Sequence, residues 1–255
     1  MRMATFNILH GRSVHDGAVE LGRLEESVRQ LDADVLALQE VDCDQPRSAM
    51  ADLTAIAAES MGAEAHRFVA AISGTPGATW MAATGREQPG TAAYGIALLS
   101  RFPVQSWQVV RLPRIPMTFP MYLREPGKVL MVHEEPRAAV VAQVDTSLGP
   151  MTVGNTHLSF VPRWNRLQLR HLVRDMRGFP GPRVLMGDLN MTAPKSGRWV
   201  GLRALGVGPT FPSEQPSRQL DHILTDDPTL LADDSRAVEL PISDHRALVV
   251  DVSRQ

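Results

Sequence analysis

Between residues 66 and 157 five short apolar or alternating runs follow one another, at 66–72, 95–100, 107–112, 138–144 and 151–157, with turn residues and no helical period between them. Consecutive strands with no room for crossover helices pair antiparallel, and strands this apolar need a second sheet to face. Helical patterns are confined to the two flanks. Residues 19–31 set Leu21, Leu24, Val28 and Leu31 at helical spacing, with Glu25 and Arg29 paired on the wet side. Strand-like runs at 3–8 and 34–42 bracket that helix, which makes a β-α-β start. Helical spacing resumes over 46–61 through Met50, Leu53 and Ile56, and Gly62 stops it. A later helix is predicted over 163–177, carrying Trp164, Leu167, Leu172 and Met176 and ended by Gly178, with a shorter one near 197–205. Strands close the chain at 220–225, 237–240 and 246–252. The expected architecture is two packed sheets with helices outside, in one domain spanning 1–255.

Composition narrows the class without naming a chemistry. The chain is 44% hydrophobic and 21% charged, and no apolar run reaches membrane-spanning length. Its start enters a strand-like pattern without the layout of a signal peptide, and its single cysteine, Cys43, excludes an intrachain disulfide. Cytoplasmic residence is the expectation. A formal charge of −2 gives no overall pull towards nucleic acid, although a local basic surface stays open.

The chemistry gathers where strands end. In the stretch from Arg183 to Thr192 an apolar run climbs to Gly187 and then presents Asp188 and Asn190 two residues apart. Alternation along an extended segment would put both on one face, where a carboxylate accepts and a carboxamide also donates. Such a pair can position a water and bind an oxyanion. It can also be an ordinary turn. Asn7, Glu40, His157, Asp221 and the Asp244–His245 pair occupy similar strand ends, and 34–40 echoes 183–188 as a strand-to-acid unit. Two long loops stand apart. Residues 73–94 are rich in Gly, Ala and Thr. Residues 113–137 hold Pro113, Pro116, Pro120, Pro126 and Pro136 among Met117, Met121 and Met131. Arg111, Arg114, Arg124, Lys128 and Arg137 are interleaved there, which suits either a loop overhanging an anionic ligand with an apolar part or a solvated loop with a small hairpin near 129–133.

Seven pieces then fall into one order: Thr5-Phe6-Asn7, Leu38-Gln39-Glu40-Val41, Tyr94-Gly95-Ile96-Ala97-Leu98-Leu99-Ser100, Asn155-Thr156-His157-Leu158, Gly187-Asp188-Leu189-Asn190, Leu220-Asp221-His222-Ile223 and Ser243-Asp244-His245-Arg246. In these the sequence resembles the endonuclease/exonuclease/phosphatase superfamily, the DNase I-like metal-dependent phosphoesterases. The resemblance implies an α/β (α+β) fold, a four-layer α/β/β/α sandwich of two mixed sheets packed face to face with helices outside. It implies a phosphate-ester substrate, either nucleic acid or a small phosphodiester or phospholipid headgroup, with no obligate protein partner.

Glu40 is the expected principal ligand of Mg²⁺ or Mn²⁺, with Asn7 beside it and Asp244 helping to hold metal or histidine, since a hard cation takes few protein oxygens and keeps waters for substrate to replace. Asp221 would orient His245. Either His245 or Asp188 would take the proton of an attacking water, while Asn190 and His157 donate to non-bridging oxygens. Arg163 and Arg166 could reach a phosphate, and Gln168 and His222 read as structural neighbours. Leu9 stands where members acting at abasic DNA sites carry an acid, and His157 where they carry Tyr. That points towards the branch of DNase I-like nucleases, deadenylases, sphingomyelinases and inositol-phosphate phosphatases. The expected activity is phosphodiester cleavage by direct water attack, ahead of phosphomonoester or inositol-phosphate hydrolysis, with a catalytically silent phospho-ligand binder as the contrasting class. No Ser or Cys nucleophile motif competes.

Overall fold

The structure, a computed structural model, describes residues 1–115, 118–123, 128–132, 134–192 and 198–255, with the side chains of 119–123, 128–132 and 198 excepted. Pro116, Met117, Arg124 and Pro126 of the second loop lie outside the described residues, as do the side chains of Pro120, Met121, Lys128 and Met131.

The chain starts with β1 (Arg2–Asn7), crosses through α1 (Leu21–Leu31) and returns as β2 (Val35–Cys43), parallel to β1 with Met3 opposite Val35 and Asn7 opposite Gln39. Strand β2 is apolar on both faces because both are covered. Leu36 and Leu38 pack under α1 with Leu24, Val28 and Leu31, while Val35 and Ala37 face the opposite sheet. Then α2 (Leu53–Met61) is capped by Asp52, whose carboxylate accepts from the Thr54 and Ala55 amides at 2.9 and 3.0 Å, and it ends at Gly62 in the left-handed conformation. Strands β3 (Ala65–Gly74), β4 (Trp80–Ala82) and β5 (Ala93–Ser100) complete one side of this sheet, and β14 (Leu230–Val238) and β15 (Ala247–Arg254) the other, in the order β14-β15-β1-β2-β5-β3-β4. The second sheet runs β12-β13-β11-β10-β9-β6, from β6 (Val104–Arg111), β9 (Ala138–Thr146), β10 (Gly149–His157), β11 (Arg183–Asp188), β12 (Arg203–Ala204) and β13 (Asp221–Thr225). Helix α3 (Trp164–Met176) lies outside it, its Leu169, Leu172 and Met176 packed with Val141 and Leu185. A separate hairpin joins β7 (Phe119–Leu123) to β8 (Lys128–Val132).

Between the sheets lies a core of Met3, Val140, Val153, Met186, Leu248 and Val250, all 0% exposed. One polar pair crosses it. Gln39 Nε2 donates to Asn155 Oδ1 at 2.8 Å, and Asn155 Nδ2 donates to the Leu38 and Ala97 carbonyls at 2.9 and 2.7 Å. That bridge pins the two sheets together directly beneath the strand ends. The expected four-layer sandwich of two mixed sheets with flanking helices is the observed fold.

Four local expectations are corrected. The helix near 197–205 is a single 3-10 turn, Arg198–Val200, followed by Gly201 at φ +79° and the short strand β12; the backbone turns there, and Arg203 and Ala204 pair with β13. The pattern over 46–61 is broken. A 3-10 turn at Pro46–Ser48 and left-handed Ala49 and Met50 precede α2, and Met50 is exposed. On α3 the covered stripe runs through Asn165, Leu169, Leu172 and Met176, which leaves Leu167 exposed. The last strand before β15 starts well before 237, at Leu230.

Candidate active site

Glu40, Asp188 and Asn190 are aimed by breaks in regular strand geometry. Glu40 is the extra residue of a β-bulge, since Gln39 pairs with Ile96 and Val41 with Gly95 while Glu40 pairs with neither. Its φ of +56° places a non-glycine residue in the left-handed region and turns its carboxylate out of the sheet's alternation. In β11 the break falls one residue earlier, at Gly187, φ +137°, where an added Cβ would lie 2.0 Å from the Thr156 carbonyl oxygen. Asp188 is the last strand residue. Asn190 is therefore not brought beside it by strand alternation. Asp188 Oδ1 accepts from the Asn190 amide at 2.9 Å in an Asx turn, and Asn190, at φ +50°, points back so that its Nδ2 donates to the Leu158 carbonyl at 3.0 Å and meets His157 Nε2 at 3.3 Å.

The two sheets contribute opposite walls of one cleft. From the first, Asn7 Nδ2 donates to Glu40 Oε1 at 3.0 Å and, across the cleft, to Asp188 Oδ2 at 3.2 Å. From the second, His157 Nε2 stands 3.5 Å from Asp188 Oδ2. The segment before β15 brings His245, whose Nδ1 meets Asp221 Oδ2 at 2.8 Å and whose Nε2 faces Asp188 Oδ2 at 3.9 Å. Ser243, left-handed at φ +75°, holds that segment: its hydroxyl donates to the Asn7 carbonyl at 2.6 Å and accepts from the His245 amide at 3.0 Å. The Phe211 ring lies against the imidazole, centroids 4.9 Å apart. Asn7, His157, Asp188, Asp221 and His245 are buried, while Glu40 and Asp244 are half-buried.

Burial and like charge set the electrostatics. Burial first, and then the Asp221 carboxylate, push Asp188 up to about 7, against the pull of His245 and the hydrogen bonds from Asn190 and Asn7. For His245 burial works against the imidazolium, but the charge and hydrogen bond of Asp221, with Asp188 and Asp244 behind, outweigh it and raise the group to about 10. Burial, with the nearby charges of Arg137 and His245, holds His157 well below its usual range, as neutral imidazole.

The carboxylates of Asp188 and Asp221 and the His245 ring offer ligand atoms within 4.8 Å of one another, and buried Asp221 Oδ1 has no hydrogen-bond partner among the described residues. With Glu40 and Asn7 beside them, the cluster is rich in hard oxygen donors and crowded with negative charge. That donor set fits a divalent cation of the Mg²⁺ type better than a soft one.

Asp244 lends its charge to His245. Arg163 is exposed at the N-cap of α3, two residues from Asn165, which donates to the Asn190 carbonyl at 3.1 Å. Arg166 is exposed one turn on. Gln168 and His222 are structural neighbours as read: Gln168 ties Ser159 to Pro113, and His222 Nε2 meets the Met191 carbonyl at 2.7 Å. Cys43 is partly covered, and burial followed by the charge of Asp52 pushes its thiol up to about 12. The sequence pieces contain Ser243, Gln39 and Asn155 but give none of them a role, and Arg137 reads in the sequence only as a loop residue. Arg137 is buried, 3.7 Å from Glu134 and close enough to act on His157. A polar residue inside an otherwise apolar strand was the available signal for Gln39 and Asn155.

A sequence profile of the Endonuclease/Exonuclease/phosphatase family matches residues 4–245, from the first strand to the imidazole of the dyad. The chain belongs to that family. Solved structures agree in fold. An endonuclease/exonuclease/phosphatase from Beutenbergia cavernae DSM 12333 superposes with a TM-score of 0.72 at 24% identity, over 100% of this chain and 71% of that one. The human Nocturnin catalytic domain with bound sulfate gives 0.61 at 17% identity, over 100% and 93%. Mannosyl-6-phosphatase of Bacteroides thetaiotaomicron VPI-5482 gives 0.63 at 16%, over 99% of each. Among curated protein sequences none matches the chain significantly. No helix among the described residues is long and apolar enough to cross a membrane.

Proposed function

We propose that this family member is a divalent-cation-dependent phosphoesterase that cleaves a P–O bond by direct attack of water, acting on phosphodiesters ahead of phosphomonoesters. The observation that carries the reading is the convergence on Asp188. One carboxylate oxygen faces the Asn7 amide at 3.2 Å, His157 at 3.5 Å and His245 at 3.9 Å, while Asp221 holds the far nitrogen of His245 at 2.8 Å. Residues from position 7 to position 245 thus meet around one point.

Glu40, with Asn7 and Asp244, would hold Mg²⁺ or Mn²⁺. A hard cation favours these oxygens over the His245 nitrogen, whose other ring nitrogen is already engaged by Asp221. When bound it would polarise the phosphorus and offset charge on the departing oxygen. The chain's own residues do the rest. Asp188, an acceptor set between two imidazoles, orients the attacking water and takes its proton. His245, kept charged by Asp221, offers Nε2–H to the non-bridging oxygens, as does Asn190 through Nδ2. His157, neutral and in contact with Asn190, completes that donor wall, and Arg163 at the mouth reaches an outer phosphate oxygen. A single domain over 1–255 is sufficient for this. The lone cysteine suits a reducing compartment, which supports cytoplasmic residence.

The test is hydrolysis of bis-p-nitrophenyl phosphate with and without Mn²⁺, for wild type, Glu40→Ala and His245→Ala. Expected are dependence on the ion, abolished by EDTA, and a loss of roughly 100- to 1,000-fold in each variant. Full activity in either variant removes its assigned role. Binding of phosphate esters without product from any of a broad panel would make the protein a silent binder. Faster turnover of p-nitrophenyl phosphate than of the diester would move the substrate to the monoesters, the class that the likeness to a mannosyl-6-phosphatase supports.

A further inference from the structure

Beyond Arg163 at its start, the outer face of α3 has no part in the catalytic reading. Arg166, Arg170, Arg174 and Arg177 follow at spacings of three and four, which keeps them within about 80° of one helical face at 100° per residue, and Arg163 precedes them at the N-cap. That face is turned about 130° from the one carrying Asn165, Leu169, Leu172 and Met176 into the core. The stripe is roughly 21 Å long at 1.5 Å per residue. Among the described residues no carboxylate pairs with Arg163, Arg166 or Arg170. Asp175 is the one acid on the helix, and it serves Arg174 and His171.

The outer helix of the other layer shows what an ordinary solvated face looks like here. Around α1, Arg23 pairs with Asp16 and Glu20 at 2.7 and 2.8 Å, and Arg29 with Glu25 at 3.3 Å. Its charge cancels locally and that of α3 does not, in a protein of formal charge −2.

A second observation points to a ligand. Beside the stripe lies a cavity of about 400 Å³, lined by Arg170, Arg174, Arg177 and His171 together with Leu167 and Trp199. Leu167 and Trp199 are 44% and 41% exposed, large apolar groups left to solvent at one concave spot. A recess with a ring and cations around it accepts a flat base and its phosphate. A lipid surface instead calls for apolar groups that protrude. The upper end of the stripe, at Arg163, adjoins Asn165 and through it Asn190 of the catalytic cleft.

We propose that α3 is a track for single-stranded nucleic acid, with phosphates along the arginines, one base against Trp199 in the cavity, and the strand running on towards the cleft. The proposal rests on the phosphoesterase reading for the strand's destination, and binding is tested apart from cleavage. Arginine is suited to both contacts, since it pairs with phosphate in a fork and stacks on bases.

The experiment is fluorescence anisotropy of a labelled oligo-dT in EDTA, across a salt series, with full-length wild type, the double variant Arg170→Glu/Arg174→Glu, the milder Arg170→Gln/Arg174→Gln, and Trp199→Ala. Hydrolysis of bis-p-nitrophenyl phosphate is measured alongside, together with melting temperature. Wild type is expected to bind with log K falling by about 2 to 3 per decade of salt, as for three or four neutralised phosphates. The Glu double variant should bind at least about tenfold more weakly with a shallower slope, and Trp199→Ala about 5- to 100-fold more weakly. Small-ester hydrolysis should be unchanged in all of them. The proposal is overturned if wild type does not bind the oligonucleotide, if the variants bind it equally well, or if vesicles containing phosphatidylserine are bound more tightly and lost in the same variants. Oligonucleotide binding that the variants lose, in a protein without ester hydrolysis, would uphold the track and defeat the catalytic reading alone.

Discussion

Two strands of this molecule bring a carboxylate to the same cleft, and they reach it by opposite means. Strand β2 bends at the acid itself. Glu40 is the bulge residue, carries the left-handed backbone at φ +56°, and stays half-buried while the strand runs on to Cys43. Strand β11 delegates its irregularity to Gly187, and Asp188 follows as the final strand residue, 2% exposed. The first arrangement places backbone strain on the acid itself, at a water-accessible position. The second leaves the acid relaxed in its backbone but deeply buried beside Asp221, so the strain there is electrostatic. One site thus combines an accessible carboxylate with one poised to hold a proton.

If that contrast is right, the largest effect should come from Gly187→Ala. The new Cβ would lie 2.0 Å from the Thr156 carbonyl oxygen and 3.0 Å from the Thr156 nitrogen, at the penultimate pair of a parallel ladder in a strand held on both sides by β10 and β13. Loss of more than about 4 kcal/mol is expected, enough to unfold many domains of this size. Gly62→Ala is the control. Gly62 has φ +67° with nothing within 4 Å of the added atom, so about 1 kcal/mol is expected. Urea unfolding of both variants checks it, and a Gly187→Ala protein as stable as Gly62→Ala would break the comparison.

The second prediction separates Glu40's backbone from its carboxylate. Glu40→Gly and Glu40→Ala should both lose activity by about 100- to 1,000-fold. They should differ in stability, Gly exceeding Ala by about 1 kcal/mol, because only Ala keeps the left-handed penalty. At Asp188, where the strand carries no such φ, the order should reverse, with Ala above Gly. Thermal melting of the four proteins reads this directly, and equal Gly and Ala values at position 40 would mean that the bulge is not strained.

These two strands also show what a sequence makes legible. Gly187 announced its irregularity because glycine before an acid at a strand end has few other uses. Glu40 hid the same irregularity, since nothing in Leu38-Gln39-Glu40-Val41 distinguishes a bulge residue from a regular one. The layer order could be read because periodicity reports which faces are covered, and β2 and β9 are covered twice. The meeting of Asn7 with Asp188, 181 residues apart, rested on recognising motifs in order, because local pattern carries no long-range distance. Where local geometry overrode alternation, as in the Asx turn that places Asn190, Asp188 and Asn190 do lie together but for a different reason from the one expected. Short apolar stretches such as 197–205 were the least legible, since Leu202 and Leu205 fit a helix period as readily as the turn and strand that Gly201 and the pairing with β13 impose.

The smallest effect tests the electrostatic half of the contrast. Asp188 is raised in the folded protein to about 7, by burial and then by Asp221, from about 3.9 in an unfolded chain. The native state therefore binds a proton more tightly than the unfolded one between those values, so this group's contribution to stability is complete below pH ~4 and is lost as pH rises through 7. His245 is raised as well, to about 10, from about 6.5 unfolded. Its contribution is complete below pH ~6.5 and declines as pH rises through 10, so the two groups erode stability in successive windows. Asp188→Asn should remove the lower window and leave the upper one. Measured in EDTA, the stability of the variant relative to wild type should thus climb from pH 4 to pH 7 and level off. Added Mg²⁺ should flatten the wild-type decline over the same interval, because a cation beside Asp188 favours its ionised form and lowers the raised value. A difference between variant and wild type that stays constant across pH 4–7 in EDTA would mean that Asp188 ionises as easily as an exposed acid, and the two strand ends would then differ in backbone geometry alone.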